Sequence, residues 1–314
     1  MGLEFGERLS QSRDERPRAT GGDRVKISPM GADIPTGAAT GSSPTDDELL
    51  AAARQGDAAA LEQLLVRYQP HLYRFGLRMC GNEEDAGDVA QESLISMARS
   101  LRDFRGDSTV SSWLYTIARR FCIKKRRRSK FAPAREEPLD APGIDAQRLA
   151  DPAPSPEQTA TNRELQRALV RAIDGLDPAQ REVLVLRDVE GLSAAEVAKV
   201  LDITVAAVKS RLHRARVAVR ESLAPVLGRP SDEPARDSVC PDVLTLFSQH
   251  LEGDIDPAVC ATMEAHLARC GRCRGTCESL KRILAICHQL PTPDVPASVE
   301  ASIKASIRAF LEQH

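Results

Sequence analysis

His266, Cys270 and Cys273 stand in the pattern H-x3-C-x2-C. On a helix these positions fall within about 60° of arc, so one face presents an imidazole and two thiols. Gly271, between the cysteines, lets the backbone tighten around an ion. Zinc takes four nitrogen or sulfur ligands in a tetrahedron, and Cys240 is the upstream candidate for the fourth. Six of the eight cysteines lie between Cys240 and Cys287. In a reducing compartment such clustering points to metal or thiol chemistry rather than a disulfide scaffold. Cys277, four residues past Cys273, has three readings: a competing ligand, a disulfide partner on oxidation, or part of a soft site for copper or cadmium. Cys260 and Cys287 read as small buried hydrophobes. There is no HExxH, and a cysteine-rich quartet leaves no open position, so the expected metal is structural or sensory.

The second informative stretch is LSAAEVAKVLDITVAAVKSRLHRAR at 192–216. Leu192, Val197, Val200 and Leu201 give one short helix an apolar face. Ile203, Val205, Val208 and Leu212 do the same for a second, and Ala194, Ala195 and Ala198 let the two cross closely. Lys209, Arg211, Arg214, Arg216 and Arg220 make the second helix basic. That is the build of a helix-turn-helix whose second helix enters the DNA major groove. The plainer alternative is a helical hairpin with a solvated basic face. Asp202 occupies the turn, where a left-handed or bridging conformation is needed that Asp tolerates better than most residues.

Charge is segregated along the chain. Net charge over 314 residues is only -2. Yet 115–130 holds eight basic residues (Arg119, Arg120, Lys124, Lys125, Arg126, Arg127, Arg128, Lys130) and no acid. Glu83–Glu92 holds five acids and no base. One surface then suits an anionic partner and another a basic one. No apolar run is long enough for a bilayer, and the N-terminus lacks a secretory pattern. A cytoplasmic protein with no membrane partner is expected.

The elements that position these groups are helices. Residues 1–45 lack apolar periodicity and read as a disordered extension. Thr45 reads as an N-cap ahead of first-turn acids, and three-to-four apolar spacing runs from 46 to 130, broken near Gly81-Asn82 and Phe104–Asp107. Residues 131–161 form an acidic, Pro-rich linker. Helical pattern returns over 162–227, where Asp177 caps and Pro178 takes a first helical position. A Pro-rich break at 228–237 precedes a cysteine-rich helical segment at 238–290 and a helical tail at 291–314. The fold class is all-α: two small helical domains joined by a flexible linker, plus a small zinc-finger-like module.

Three blocks carry a family resemblance. DAGDVAQE at 85–92 resembles the core-binding helix of extracytoplasmic-function (ECF) sigma factors of the sigma-70 family. DFRGDSTVSSWLYTIARR at 103–120 resembles the promoter-melting part of the same domain, region 2. LDPAQREVLVLRDVEGLS through VKSRLHRAR at 176–216 resembles region 4, the promoter-reading domain. The resemblance implies that Asp85, Asp88, Gln91 and Glu92 dock on core RNA polymerase. The three acids recur at three- and four-residue steps and share a helix face; a merely soluble face is the alternative. It further implies that a loop at Phe104–Ser108, with Phe104 and Arg105, captures a flipped base of the −10 element. Arg119, Arg120, Lys124 and Lys125 then contact melted strand and phosphates. Trp113 has two readings, stacking on unpaired bases or packing in the core. Many relatives carry Asn where this chain has Arg120, and many have Gly where it has Asp202.

In region 4, Thr204, Ala206, Lys209, Ser210 and Arg211 are the candidates for facing the −35 groove, with Arg214 and Arg216 on phosphates. The Cys240–His266–Cys270–Cys273 order resembles the zinc-finger domain of zinc-binding anti-sigma factors. Such a module fused to a sigma factor implies regulation in cis: a tail that senses metal or thiol redox state and contacts the sigma domains. The expected partners are core RNA polymerase, double-stranded promoter DNA and its melted strand. The expected role is non-enzymatic. The alternative is a helix-turn-helix regulator that never joins polymerase; the acidic helix followed by Trp113 and the basic run argues against it.

Overall fold

A computed structural model describes residues 44–131, 156–227, 240–290 and 295–313. The N-terminal extension, most of the acidic linker and the 228–237 break lie outside these residues. The described residues form helices and contain no strand.

The first unit packs α1 (Asp46–Arg54), α2 (Ala58–Cys80), α3 (Glu83–Ser100) and α4 (Val110–Phe131). Thr45 and Glu48 form a capping box that satisfies first-turn amides of α1. Asp57 caps α2 by accepting from the Ala59 and Ala60 amides. Gly81 ends α2 in the left-handed conformation, and Asn82 caps α3. This tight α2–α3 corner matches the break expected at 81–82. A Cβ at Gly76 would lie 2.9 Å from the Ala86 Cα, so only glycine permits the close α2–α3 crossing.

The second unit packs α5 (Pro156–Asp174), α6 (Pro178–Leu184), α7 (Ala194–Leu201) and α8 (Val205–Leu227). Asp177 accepts from the Ala179 amide, with Pro178 in the first turn, as expected. Ser193 and Glu196 form a capping box on α7. Asp202 sits at φ 56°, in the left-handed region, and fixes the α7–α8 turn. A left-handed L-residue costs roughly 1 kcal/mol that glycine avoids. Asp202→Gly is therefore expected to stabilise the protein by about 0.5 kcal/mol, read as a rise in the urea midpoint. A wide π turn at Val185–Val189, not foreseen in the sequence, separates α6 from α7. It holds Asp188 and ends at Glu190, two acids with almost no exposure.

The tail comprises α9 (Val243–Leu251), α10 (Pro257–Arg269), α11 (Gly271–His288) and α12 (Ala297–Gln313). Val243, Phe247, Met263, Leu267, Leu280 and Leu284 close a small core of its own around Cys270, Cys273 and Cys277. The tail also joins the main core: Ile283, Cys287, Leu290, Ile303 and Ile307 belong to one apolar cluster with the first two units. The α12 helix presents Val299, Ile303 and Ile307 at four-residue steps, a single apolar stripe, and lies on α3. Val299 contacts the space a Cβ on Gly87 would need, 3.1 Å away.

Candidate functional site

The four candidate metal ligands are brought together. Cys240, His266, Cys270 and Cys273 bring their ligand atoms within 4.8 Å of one another. The Cys240 and Cys270 sulfurs are 4.0 Å apart. Zinc bonds of about 2.3 Å to sulfur and 2.0 Å to nitrogen set tetrahedral ligand edges near 3.7 Å, so three thiols and an imidazole at this separation fit the ion with a small contraction. Cys270 ends α10 and begins α11, which places its sulfur by the free amides of a helix start. The Cys273 amide bonds it and, outweighing burial, holds its thiol below the ordinary range. Burial, with the neighbouring thiols, pushes Cys273 up to about 12. Cys277 is buried outside the quartet, and burial raises it to about 11. Cys287 packs in the main core, as a small hydrophobe would. Cys260 is half-buried, its sulfur 3.6 Å from His250 Nδ1.

The acidic face of α3 is not simply solvated. Lys125 of α4 pairs with Asp85 at 3.2 Å and with Asp88, and Lys124 reaches Glu92 at 4.0 Å. Gln91 bonds two serines of α12: its Nε2 donates to Ser306 Oγ at 2.7 Å and its Oε1 accepts from Ser302 Oγ at 3.3 Å. The acidic and basic surfaces expected to serve separate partners therefore meet each other here.

Near the expected melting loop, Phe104 is buried and packs on Trp113 with ring centroids 4.7 Å apart. Phe104, expected to meet a base, anchors the loop in this conformation. Trp113 is half-buried, packed against the core on one side and accessible on the other. Arg105 and Arg120 are exposed, as is Lys124, while Arg119 pairs with Glu182 at 3.3 Å.

Thr204, just before α8, and Ala206, Ser210 and Arg214 on it are exposed, and Arg211 is half-buried. Lys209 is ion-paired with Asp254 of the tail at 2.5 Å. His213, missed in the sequence, lies 3.3 Å from Thr245 on α9. Ala206, Lys209, Ser210 and His213 line one wall of an open cleft of about 440 Å³ whose other wall is Thr245, Gln249, Glu252 and Asp254. Arg216, expected on a phosphate, is 3% exposed here, with its guanidinium on Asp188 at 2.7 Å and Glu252 at 3.0 Å, a buried ion-paired position. The covered stripe Lys209, His213, Arg216, Arg220 follows four-, three- and four-residue steps along one helix face. Arg220 completes it by donating to Ser279 at 3.0 Å.

A further node went unseen in the sequence. Glu190 has no side-chain exposure and accepts from Arg74 at 2.6 and 2.7 Å and from Tyr115 at 2.7 Å. Two acids inside the apolar run Val183–Leu192 were the available signal, because a buried carboxylate requires partners. Glu196 of α7 likewise bonds Thr109 and Ser112, and Lys199 bonds the Asp107 carbonyl at 2.9 Å.

A helical unit ending in a basic helix packs with a helix-turn-helix unit, an arrangement suited to a DNA partner. Residues 64–131 match the family described as "Sigma-70 region 2", 166–219 match "Sigma-70, region 4", and 240–274 match "Putative zinc-finger". The RNA polymerase sigma-H factor of Pseudomonas aeruginosa is 32% identical over 186 residues, covering 58% of this chain and 95% of that protein. The ECF RNA polymerase sigma-E factor of Escherichia coli is 31% identical over 189 residues, covering 59% of this chain and 97% of that protein. The solved structure of CnrH, in complex with the cytosolic domain of CnrY, is 27% identical over 57% of this chain, with a TM-score of 0.42. The chain belongs to the ECF sigma factors of the sigma-70 family. It is a non-enzymatic transcription initiation factor. No helix among the described residues is long and apolar enough to cross a membrane.

Proposed function

We propose that this sigma factor is held inactive by its own C-terminal tail, and that a metal bound at Cys240, His266, Cys270 and Cys273 keeps the tail in its inhibitory fold. The observation that carries the reading is the seat of α12 on α3. Of the residues proposed to dock on core polymerase, Gln91 is bonded by Ser302 and Ser306 of α12, at the centre of that face, while Asp85, Asp88 and Glu92 pair with the α4 lysines beside it. In the same state the tail flanks the α8 face proposed to read the −35 element and takes its Lys209 through Asp254, leaving Thr204, Ala206, Ser210 and Arg214 exposed.

The mechanism follows from the proposed domain roles. Region 2, at 46–130, binds polymerase through α3 and contacts the −10 element through Arg105, Arg119, Arg120, Lys124, Lys125 and Trp113. Phe104 supports that loop from beneath until the domain opens. Region 4, at 162–227, presents Thr204, Ala206, Ser210, Arg211 and Arg214 to the −35 groove, joined by Lys209 once Asp254 withdraws. The tail, 238–314, competes for both surfaces. Bound zinc would tie the start of the tail to the α10–α11 junction. Its three sulfur ligands would bind as thiolates and its imidazole as the neutral base, so acid or thiol oxidation weakens the site. The donor set offers no separate support for copper or cadmium.

The test is run-off transcription with purified core polymerase. A chain ending at Leu227 is the comparison, because relatives covered almost end to end by the matched part are sigma factors by themselves. The shortened chain is expected to be at least about tenfold more active than the zinc-loaded full chain, a population shift of about 1.4 kcal/mol. Equal activity under zinc-loaded, chelated and oxidised conditions would sink the regulatory reading. Failure of both chains to recruit polymerase would favour a regulator that acts without it.

A further inference from the structure

We infer that Arg74 and Glu190 form a three-way latch that holds region 2 against region 4, and that the tail completes it through the backbone carbonyl of Leu290. Arg74 lies on α2 in region 2, and Glu190 ends the π turn of region 4. Arg74 Nε donates to Glu190 Oε1 at 2.7 Å and Nη2 to Oε2 at 2.6 Å, a bidentate pair. Its Nη1 donates to the Leu290 carbonyl at 3.3 Å. These residues are separated in sequence by 116 and 216 positions, so one guanidinium joins all three parts of the chain.

Burial makes this node matter. Glu190 has no exposed side-chain surface and Arg74 has 8%. A carboxylate so placed needs its lone pairs filled, and Tyr115 donates to it at 2.7 Å while His71 Nδ1 stands 3.4 Å away. Burial alone would raise the Glu190 carboxyl, but the bonds from His71, Arg74 and Tyr115 hold it below the ordinary range. The Leu290 side chain is 5% exposed and sits in the same apolar cluster as the surrounding helices. Withdrawal of the tail therefore removes an acceptor from Arg74 and admits water to an ion pair that depends on its exclusion.

The latch bears on promoter recognition because it sets the distance between the two DNA-facing elements. In the latched state Lys199 of the helix-turn-helix bonds the Asp107 carbonyl within the expected melting loop. Elements in contact with each other cannot reach separate promoter elements at once. Arg74 and Glu190 are thus positioning residues, and their release accompanies engagement of DNA. The inference deepens the proposed regulation by the tail and rests on it only for the role of Leu290.

The test is small-angle X-ray scattering on the full-length, zinc-loaded protein, with far-UV circular dichroism and zinc content as controls. Glu190→Gln keeps the shape and removes the charge. It is expected to raise the radius of gyration by roughly 3 Å or more, the scale on which separated domains depart from one packed body. Leu290→Asp should expand the protein similarly. Arg74→Lys keeps the charge but cannot serve all its acceptors, and an intermediate expansion is expected; it decides the matter if Glu190→Gln does not fold. Glu190→Gln or a folded Arg74→Lys as compact as wild type would overturn the latch. Expansion by Glu190→Gln without expansion by Leu290→Asp would overturn the tail's part in it. Neither result depends on transcription, so a failed latch and a failed regulatory reading are separately visible.

Discussion

Removing the metal from the tail is expected to unfold α9–α11 while leaving regions 2 and 4 helical. The small core there has few large apolar residues, and three of its members are Cys270, Cys273 and Cys277. Domains of this size lean on cross-links, and a structural zinc supplies on the order of 10 kcal/mol of folding free energy at neutral pH. The purified protein should carry one zinc per chain by elemental analysis. Cys273→Ser should reduce that to well under one and lose helicity corresponding to the tail. Cys277→Ser should retain the metal, because Cys277 lies outside the quartet. Equal zinc loss in both variants would contradict the ligand assignment.

Arg216→Ala is expected to destabilise the protein by about 3–5 kcal/mol, the usual cost of stranding a buried charge. Two carboxylates would be stranded here. Asp188 is 2% exposed and Glu252 is 4% exposed at the side chain, and both depend on this guanidinium. Arg187 offers Glu252 a second partner at 3.2 Å, so Asp188 bears most of the loss. Asp188 and Glu252 stand on region 4 and the tail respectively, so the same substitution should also loosen the tail. Chemical denaturation measures the stability change. A cost under about 1 kcal/mol, typical of exposed pairs, would show that the triad is solvated in solution.

The legible parts of this fold were the local ones. The Thr45, Asp177 and Asp202 positions, the α7–α8 turn and the metal quartet all follow from spacing and from what a single residue type can do. The tertiary partners were not legible. Arg216 repeats with the basic residues of α8 and looks exposed by composition, yet it faces a buried acid that the π turn swings inward. Phe104 sits in a turn sequence but packs on Trp113, an apolar contact that no local pattern announces. The α3 acids formed a plausible docking face. That α4 lysines would pair with those acids and α12 would bond Gln91 among them depends on chain segments far away in sequence.

The α12 stripe gives the central claim its most direct test. Val299, Ile303 and Ile307 make the contact with α3, and the two isoleucines are nearly fully buried. Each such side chain contributes about 1.5–3 kcal/mol of docking free energy. The measurement is the affinity of core RNA polymerase for the full-length, zinc-loaded protein and for Ile303→Asp/Ile307→Asp. If the tail occupies the polymerase-binding face, the double variant binds at least about tenfold more tightly, because an occupied face lowers apparent affinity by its closed fraction. Equal affinity of the two proteins would contradict the claim that α12 competes with polymerase for α3.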